Sequence, residues 1–409
     1  MSKTRAGVLA VLIGMAAIGA LHHAETTGTR AGGQAAERPG HPTGRSATST
    51  TGRAAGARTG RRGNPASGRR ADRADREAAP IVIAHRGASA FRPEHTLLSY
   101  RVAISMGADF IEPDLVSTKD HVLVARHENE LSATTDVERH PEFASRRTTK
   151  LVNGARRTGW FTEDFTLAEL RTLRARERYA RQRRDNTAYD GRARIPTLDE
   201  IVLLAQKHGV GVYAETKFPT YFASIGLPLE KPLLETFKRY GWEDEHDPVF
   251  IQSFEPGNLG RLRPLTRIRL IQFVAATGAP YDLVRAGDPR TYDDMVTPKG
   301  LARIAEYADG IGVVTKRIGP GETGGIDGRR ISPAALVRNA HREGLLVHAT
   351  TVRRLDARLR AERRGRDTDR VTEQVRTWLR HLYRLKVDGV IADDPGLARA
   401  VRESLRPGD

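Results

Sequence analysis

From Pro80 onward the chain alternates short aliphatic runs with longer amphipathic ones, and this alternation constrains the fold more than any other feature. The aliphatic runs are Ile81–Ala84, Phe110–Leu115, Val122–Arg126, Gly211–Glu215, Val249–Ser253, Ile268–Phe273, Gly310–Val314, Leu345–Thr351 and Gly389–Ala392. Helices are predicted between them over Thr96–Met106, Leu198–Lys207, Lys231–Tyr240, Pro333–Glu343 and Val371–Leu385. Strands alternating with helices imply an α/β fold whose parallel sheet is joined by helical crossovers. Over residues 80–409 the natural closure is a (β/α)8, or TIM, barrel.

Nine runs exceed eight strands by one. The link VSTKDH after Leu115 is too short for a parallel crossover, which takes about a dozen residues. A hairpin is therefore expected, turning near Lys119–Asp120 and returning His127 to the rim that carries Glu112 and Asp114. From residue 128 to about 195 the alternation is lost, arginines are frequent, and Phe165–Leu173 is the one helical pattern. This segment reads as an insertion over the C-terminal face of the barrel, where loops carry specificity.

The N-terminal part is of another kind. Lys3 and Arg5 precede an uncharged apolar stretch, Gly7–Leu21, with small residues at Ala17 and Ala20. Residues 1–24 are expected to be a signal peptide, because the run is short for a membrane span of roughly 20 residues. An uncleaved anchor is the alternative. Residues 25–79 are rich in Gly, Ala, Thr, Ser and Arg and have almost no large apolar side chain, so a disordered linker is expected. The protein is thus expected to be secreted or extracytoplasmic.

Of the net charge of +17, residues 25–80 contribute 11 Arg against 5 acids. With the leader's two cations also set aside, about +9 remains for the barrel, enough to attract phosphorylated substrates and anionic wall or lipid surfaces. The sign alone does not separate these from nucleic acid. The absence of cysteine excludes disulfides, thiol nucleophiles, zinc–thiolate sites and a lipid anchor on cysteine. Any metal is left to carboxylates, imidazoles and backbone oxygens, which favours calcium or magnesium.

Chemistry gathers where the aliphatic runs end. The run IVIA delivers His85, Arg86 and Gly87, an imidazole beside a guanidinium that suits an anion with a transferable proton. In DFIEPDL, Glu112 and Asp114 are two apart and share one face of a strand, a costly pairing unless a cation neutralises it. VLVARH ends in His127, and GVYAETK ends in Glu215 and Lys217. A barrel brings such ends together. The resulting set suits phosphoryl-ester cleavage. Glu112, Asp114 and Glu215 would hold Ca2+ or Mg2+, Arg86 and Lys217 would carry the remaining phosphate charge, and His85 and His127 would form a base–acid pair. Gln252 either lines the pocket or supports its rim. Glu94 and His95 are expected to fix the first loop by hydrogen bonding, and the runs Arg174–Arg184 and Arg353–Arg364 to be solvated faces.

HRGASAFRPEHT, EPDL, TKDHVLVARH and ETK, in that order, resemble the signature of glycerophosphodiester phosphodiesterases. PEHT, EYADGIG, VHATTVR, QSF and DGVIADDP are similar to the periplasmic, calcium-dependent branch, and the likeness runs from Ile81 to Val401. The resemblance implies a TIM barrel that releases glycerol 3-phosphate and an alcohol. It implies catalytic His85 and His127, a metal on Glu112, Asp114 and Glu215, and phosphate binding by Arg86 and Lys217. The expected partner is a small glycerophosphodiester, with wall or lipid contact through the basic tail, and no nucleic acid is expected. Two departures stand out: Pro113 occupies a position where the branch usually has Gln, and Thr350 one where an aromatic residue often stands. The remaining alternatives are a phospholipase D-like or teichoic acid hydrolase using the same site, and a non-enzymatic binder of anionic polymers. Attack on phosphorus by the substrate's glycerol hydroxyl, through a cyclic phosphate, and direct attack by water are both open.

Overall fold

The computed structural model describes residues 79–319, 324–326, 329–355 and 370–405. The leader expected over residues 1–24, all but the last residue of the linker, and most of the run Arg353–Arg364 lie outside these.

The barrel strands are β1 Ile81–His85, β2 Phe110–Glu112 continuing as β3 Asp114–Ser117, β7 Gly211–Thr216, β8 Val249–Ser253, β9 Arg269–Val274, β10 Gly310–Val314, β13 Leu346–Val352 and β14 Gly389–Ala392. Each pairs in parallel with its neighbours, β14 closes on β1, and β2 closes on β7, so the eight-stranded barrel is complete. Between these strands lie β4 Leu123–Ala125, the hairpin of β5 Thr148–Val152 with β6 Ala155–Gly159, and the hairpin of β11 Gly324–Ile326 with β12 Arg329–Ile331. Helices Leu97–Ser105, Leu198–His208, Glu230–Arg239, Pro333–Arg342 and Val371–Arg384 supply crossovers where the amphipathic runs predict, and Pro395–Glu403 follows the last strand.

Pro113 divides what the sequence reads as one strand. Phe110 pairs with Gly211 and Asp114 with Glu215, so the register against β7 is unchanged across the break. Only the amide that proline lacks is missing, and the Pro113 carbonyl still accepts from Glu215 N at 2.9 Å. The expected hairpin is present. β4 runs antiparallel to β3, and Arg126 N donates to the Asp114 carbonyl at 2.8 Å, which sets His127 beside the metal-type carboxylates.

The barrel interior explains why the strand ends converge. Ile83, Tyr213, Phe250, Ile271, Phe273, Leu346 and Ile391 form a closed apolar plug with Phe110 packed against it, and the Tyr213 hydroxyl bonds His348 Nδ1 within it at 2.6 Å. Side chains two apart on a strand share a face. Counting two residues toward the C-terminus from Ile83, Phe110, Tyr213 and Phe250 gives His85, Glu112, Glu215 and Gln252. The apolar plug therefore forms the floor of the site.

The insertion spans the barrel mouth. On one side Arg183 donates to Asp393 Oδ2 at 2.7 Å and to the Ser89 carbonyl at 2.5 Å. On the other, Asn153 at the β5–β6 turn donates to Glu255 Oε1, after β8, at 3.2 Å.

Candidate active site

After β1 the backbone turns through two positive φ values, 56° at Arg86 and 87° at Gly87. A Cβ at residue 87 would lie 2.4 Å from Ser99 Oγ, so the turn needs glycine for space as well as conformation. The turn aims Arg86 N at Glu112 Oε2, 2.9 Å away. Arg86 keeps a left-handed conformation that bulky residues adopt only when their surroundings enforce it. Here Glu94 holds Nη1 at 3.1 Å and Asp114 Oδ2 lies 3.5 Å from Nε.

The three acids converge as expected. Glu112, Asp114 and Glu215 are buried, and one carboxylate oxygen from each lies within 4.8 Å of the others. Burial would raise all three acids, but Lys217 and His95 beside Asp114 hold it well below the usual carboxylate range. Glu112 is raised instead: burial and the Asp114 charge outweigh Arg86 and Gln252 and push it up to about 7. Burial also raises Glu215 well above its ordinary value despite Lys217, whose Nζ is 2.6 Å from Oε1. One comfortable carboxylate and two strained ones make a donor set short of positive charge, all of hard oxygen. A divalent cation with oxygen ligands fits it.

Other side chains brace this set. His95 bonds Asp114 Oδ2 through Nε2 at 2.9 Å and the Tyr100 hydroxyl through Nδ1 at 3.0 Å, so it orients one of the three acids. Gln252 is wholly buried and donates from Nε2 to Glu112 Oε1 at 3.0 Å. Its burial and its bond to Glu112 place it as a support of the rim. Removal of such a supporting bond typically costs 10–100-fold in metal affinity or activity. Gln252→Leu is expected to lower turnover by about tenfold or more, with a higher metal concentration at half-maximal activity; an unchanged metal titration contradicts this.

The histidines complete the site. His127, with 29% of its side chain exposed, bonds Glu128 Oε1 through Nδ1 at 2.5 Å, which leaves Nε2 for a reacting group. His85 is more buried, and its Nδ1 has no hydrogen-bond partner. Burial and the Arg86 charge hold His85 well below, and His127 at about 3, so both rings are neutral bases in the free site. Lys217 lies 5.8 Å from the Phe254 ring, which gives the phosphate side an apolar wall.

A model of the glycerophosphoryl diester phosphodiesterase family matches residues 85–397. The chain belongs to this family. A glycerophosphodiester phosphodiesterase of Arabidopsis thaliana is 36% identical over 291 residues, 67% of this chain and 74% of that one. One from Haemophilus influenzae is 30% identical over 258 residues, 57% of this chain and 68% of its own. A solved structure of a Silicibacter pomeroyi protein assigned to the glycerophosphoryl diester phosphodiesterases superposes with a TM-score of 0.56 at 21% identity, covering 83% of this chain and 96% of that one. A phosphodiesterase of Oleispira antarctica, solved with sn-glycerol-3-phosphate, gives 0.51 at 20% identity over 80% and 97%. The protein is accordingly an enzyme of the glycerophosphodiester phosphodiesterase family on a TIM barrel.

Sequence reasoning missed three residues that brace the candidate site. Tyr100 looks like an ordinary helix core position. Glu128 could have been suspected, since it directly follows His127. Arg178 gave no signal within its arginine run, yet its side chain is 14% exposed and contacts two site carboxylates. For Arg178 and Arg183 the solvated-face expectation is corrected: buried acids draw both guanidinium groups inward.

Proposed function

We propose that the enzyme hydrolyses glycerophosphodiesters outside the cytoplasm in a metal-dependent reaction, with His85 and His127 exchanging the protons. The observation that carries this reading is the buried triad of Glu112, Asp114 and Glu215 with oxygens within 4.8 Å, flanked by Arg86, Lys217 and the two histidines. Glu112, Asp114 and Glu215 would hold the metal, calcium by preference and magnesium as the alternative. When bound, such a cation neutralises charge on the phosphate oxygens.

Arg86 and Lys217 bind the same phosphate from either side of Asp114, each already anchored on its own carboxylate. One imidazole takes a proton from the attacking hydroxyl, and the other, protonated once the anionic phosphate is bound beside it, gives its proton to the leaving alkoxide. Glu128 holds His127 in the tautomer with Nε2 toward the substrate. Water and the diester are consumed, and glycerol 3-phosphate and the headgroup alcohol result. The product seen in the Oleispira antarctica structure supports the same assignment of products. The leader supports export, and the Arg-rich segment over residues 25–79 supports contact with anionic wall or lipid surfaces.

The test is product analysis on glycerophosphocholine, intact phosphatidylcholine and a glycerol-phosphate polymer. Glycerol 3-phosphate and choline from the first substrate, at a rate far above the other two, are expected. Faster release from intact phospholipid or from polymer would move the enzyme to another substrate class.

A further inference from the structure

Arg178 forms the connection between the insertion and the chemistry. Its Nε and Nη2 donate to the two oxygens of Glu94, at 2.9 and 2.7 Å. Its Nη1 and Nη2 donate to the two oxygens of Glu128, at 3.1 and 2.6 Å. One planar guanidinium thus makes two forked contacts, a geometry that an ammonium does not reproduce. Glu94 in turn receives Arg86 Nη1 on both oxygens, at 3.1 and 3.2 Å, and Glu128 receives His127. The groups run Arg86, Glu94, Arg178, Glu128, His127, with charges alternating as far as Glu128.

The backbone carrying Arg178 is fixed to the segment that follows His127. Asp136 N donates to the Arg174 carbonyl at 3.1 Å, Arg176 N donates to the Thr134 carbonyl at 2.9 Å, and Thr135 bridges Ala175. The guanidinium is therefore delivered by a built strand-like contact. Burial would raise Glu128, but His127 and Arg178 hold it well below the usual carboxylate range. Glu128 is consequently a fixed acceptor for the imidazole.

We propose that Arg178 is a positioning residue for the hydrolysis: by gripping Glu94 and Glu128 together, it fixes the phosphate-binding Arg86 and the proton-carrying His127 in one frame. This rests on the roles given to Arg86 and His127 above. It makes turnover depend on the insertion, which has no residue in the triad itself. Arg86 keeps Glu94 and Asp114 as anchors without Arg178, whereas His127 depends on Glu128, so the effect appears in kcat more than in KM.

The test uses steady-state kinetics on glycerophosphocholine with the full chain. Wild-type turnover is the control, and its absence would fail the function reading rather than this one. Arg178→Ala and Arg178→Lys are each expected to lose about 10–100-fold in kcat, with KM changed less than about threefold. Added guanidinium at millimolar concentration should recover part of the Arg178→Ala loss and leave wild type unaffected. Glu128→Gln should show a similar kcat loss, and its combination with Arg178→Ala should lose no more than the worse single variant. If Arg178→Ala does not fold, Glu128→Gln, which keeps size and shape, carries the test. Wild-type kcat in a folded Arg178→Ala or in Glu128→Gln, or fully additive losses, would overturn the proposal.

Discussion

Replacing His127 by alanine is expected to lower kcat/KM by about 10²–10⁴, the usual worth of positioned proton transfer, while the barrel stays folded. His127 sits just beyond β4, is partly exposed, and has Glu128 as its partner rather than a core neighbour. Its truncation opens no large cavity, and Glu128 keeps both donors from Arg178. His85→Ala is expected to cost a similar factor, since the reaction needs one ring to accept a proton and another to donate one. Circular dichroism and thermal midpoints check the fold, and initial rates on glycerophosphocholine check the chemistry. Retention of more than about a tenth of wild-type kcat/KM in either variant would remove that histidine from proton transfer.

Glu112→Gln is expected to abolish turnover and, in chelator, to make the protein more stable. Glu112 ionises only near pH 7 in the folded state, because burial and Asp114 oppose its charge, whereas in the unfolded chain it ionises near 4.5. The sign follows from linkage. Below the unfolded value both states are protonated and the group is neutral to stability. As pH rises toward 7 the unfolded chain gives up its proton more readily, so the folded state loses stability, and the loss is complete above pH 7. Glutamine removes that loss. Its amide is also accommodated, because Gln252 Oε1 has no partner and a flipped Gln252 presents that oxygen to the new NH2. In EDTA at pH 8 the melting midpoint of Glu112→Gln should exceed that of wild type by a few degrees. With calcium added, wild type should gain and the variant should not. A lower midpoint for the variant in EDTA, or equal gains from calcium, would contradict the account of a charge-strained metal site.

How much was legible in sequence follows from what each feature depends on. His85, His127 and Glu215 stand at the ends of aliphatic runs and Glu112 lies within one, and a buried run that carries a titratable residue is a local signal that the barrel turns into convergence. The hairpin between β3 and β4 could be inferred from chain length alone, because six residues do not cross over a sheet. Arg178 and Tyr100 were not legible. Arg178 looks like its exposed neighbours until Glu94 and Glu128 are brought to it from opposite sides, and that meeting exists only after the insertion closes. Pro113 was noticed as a departure, but its outcome depends on which neighbour its missing amide would have faced. The β7 side uses the carbonyl, so the ladder passes the proline unbroken.

The most direct test is turnover of glycerophosphocholine by the full chain after dialysis against EDTA, followed by return of Ca2+ or Mg2+ to separate samples. The account predicts no glycerol 3-phosphate in chelator and recovery with the metal, more fully with calcium. Full turnover in chelator, or none with either metal, would contradict a metal held by Glu112, Asp114 and Glu215.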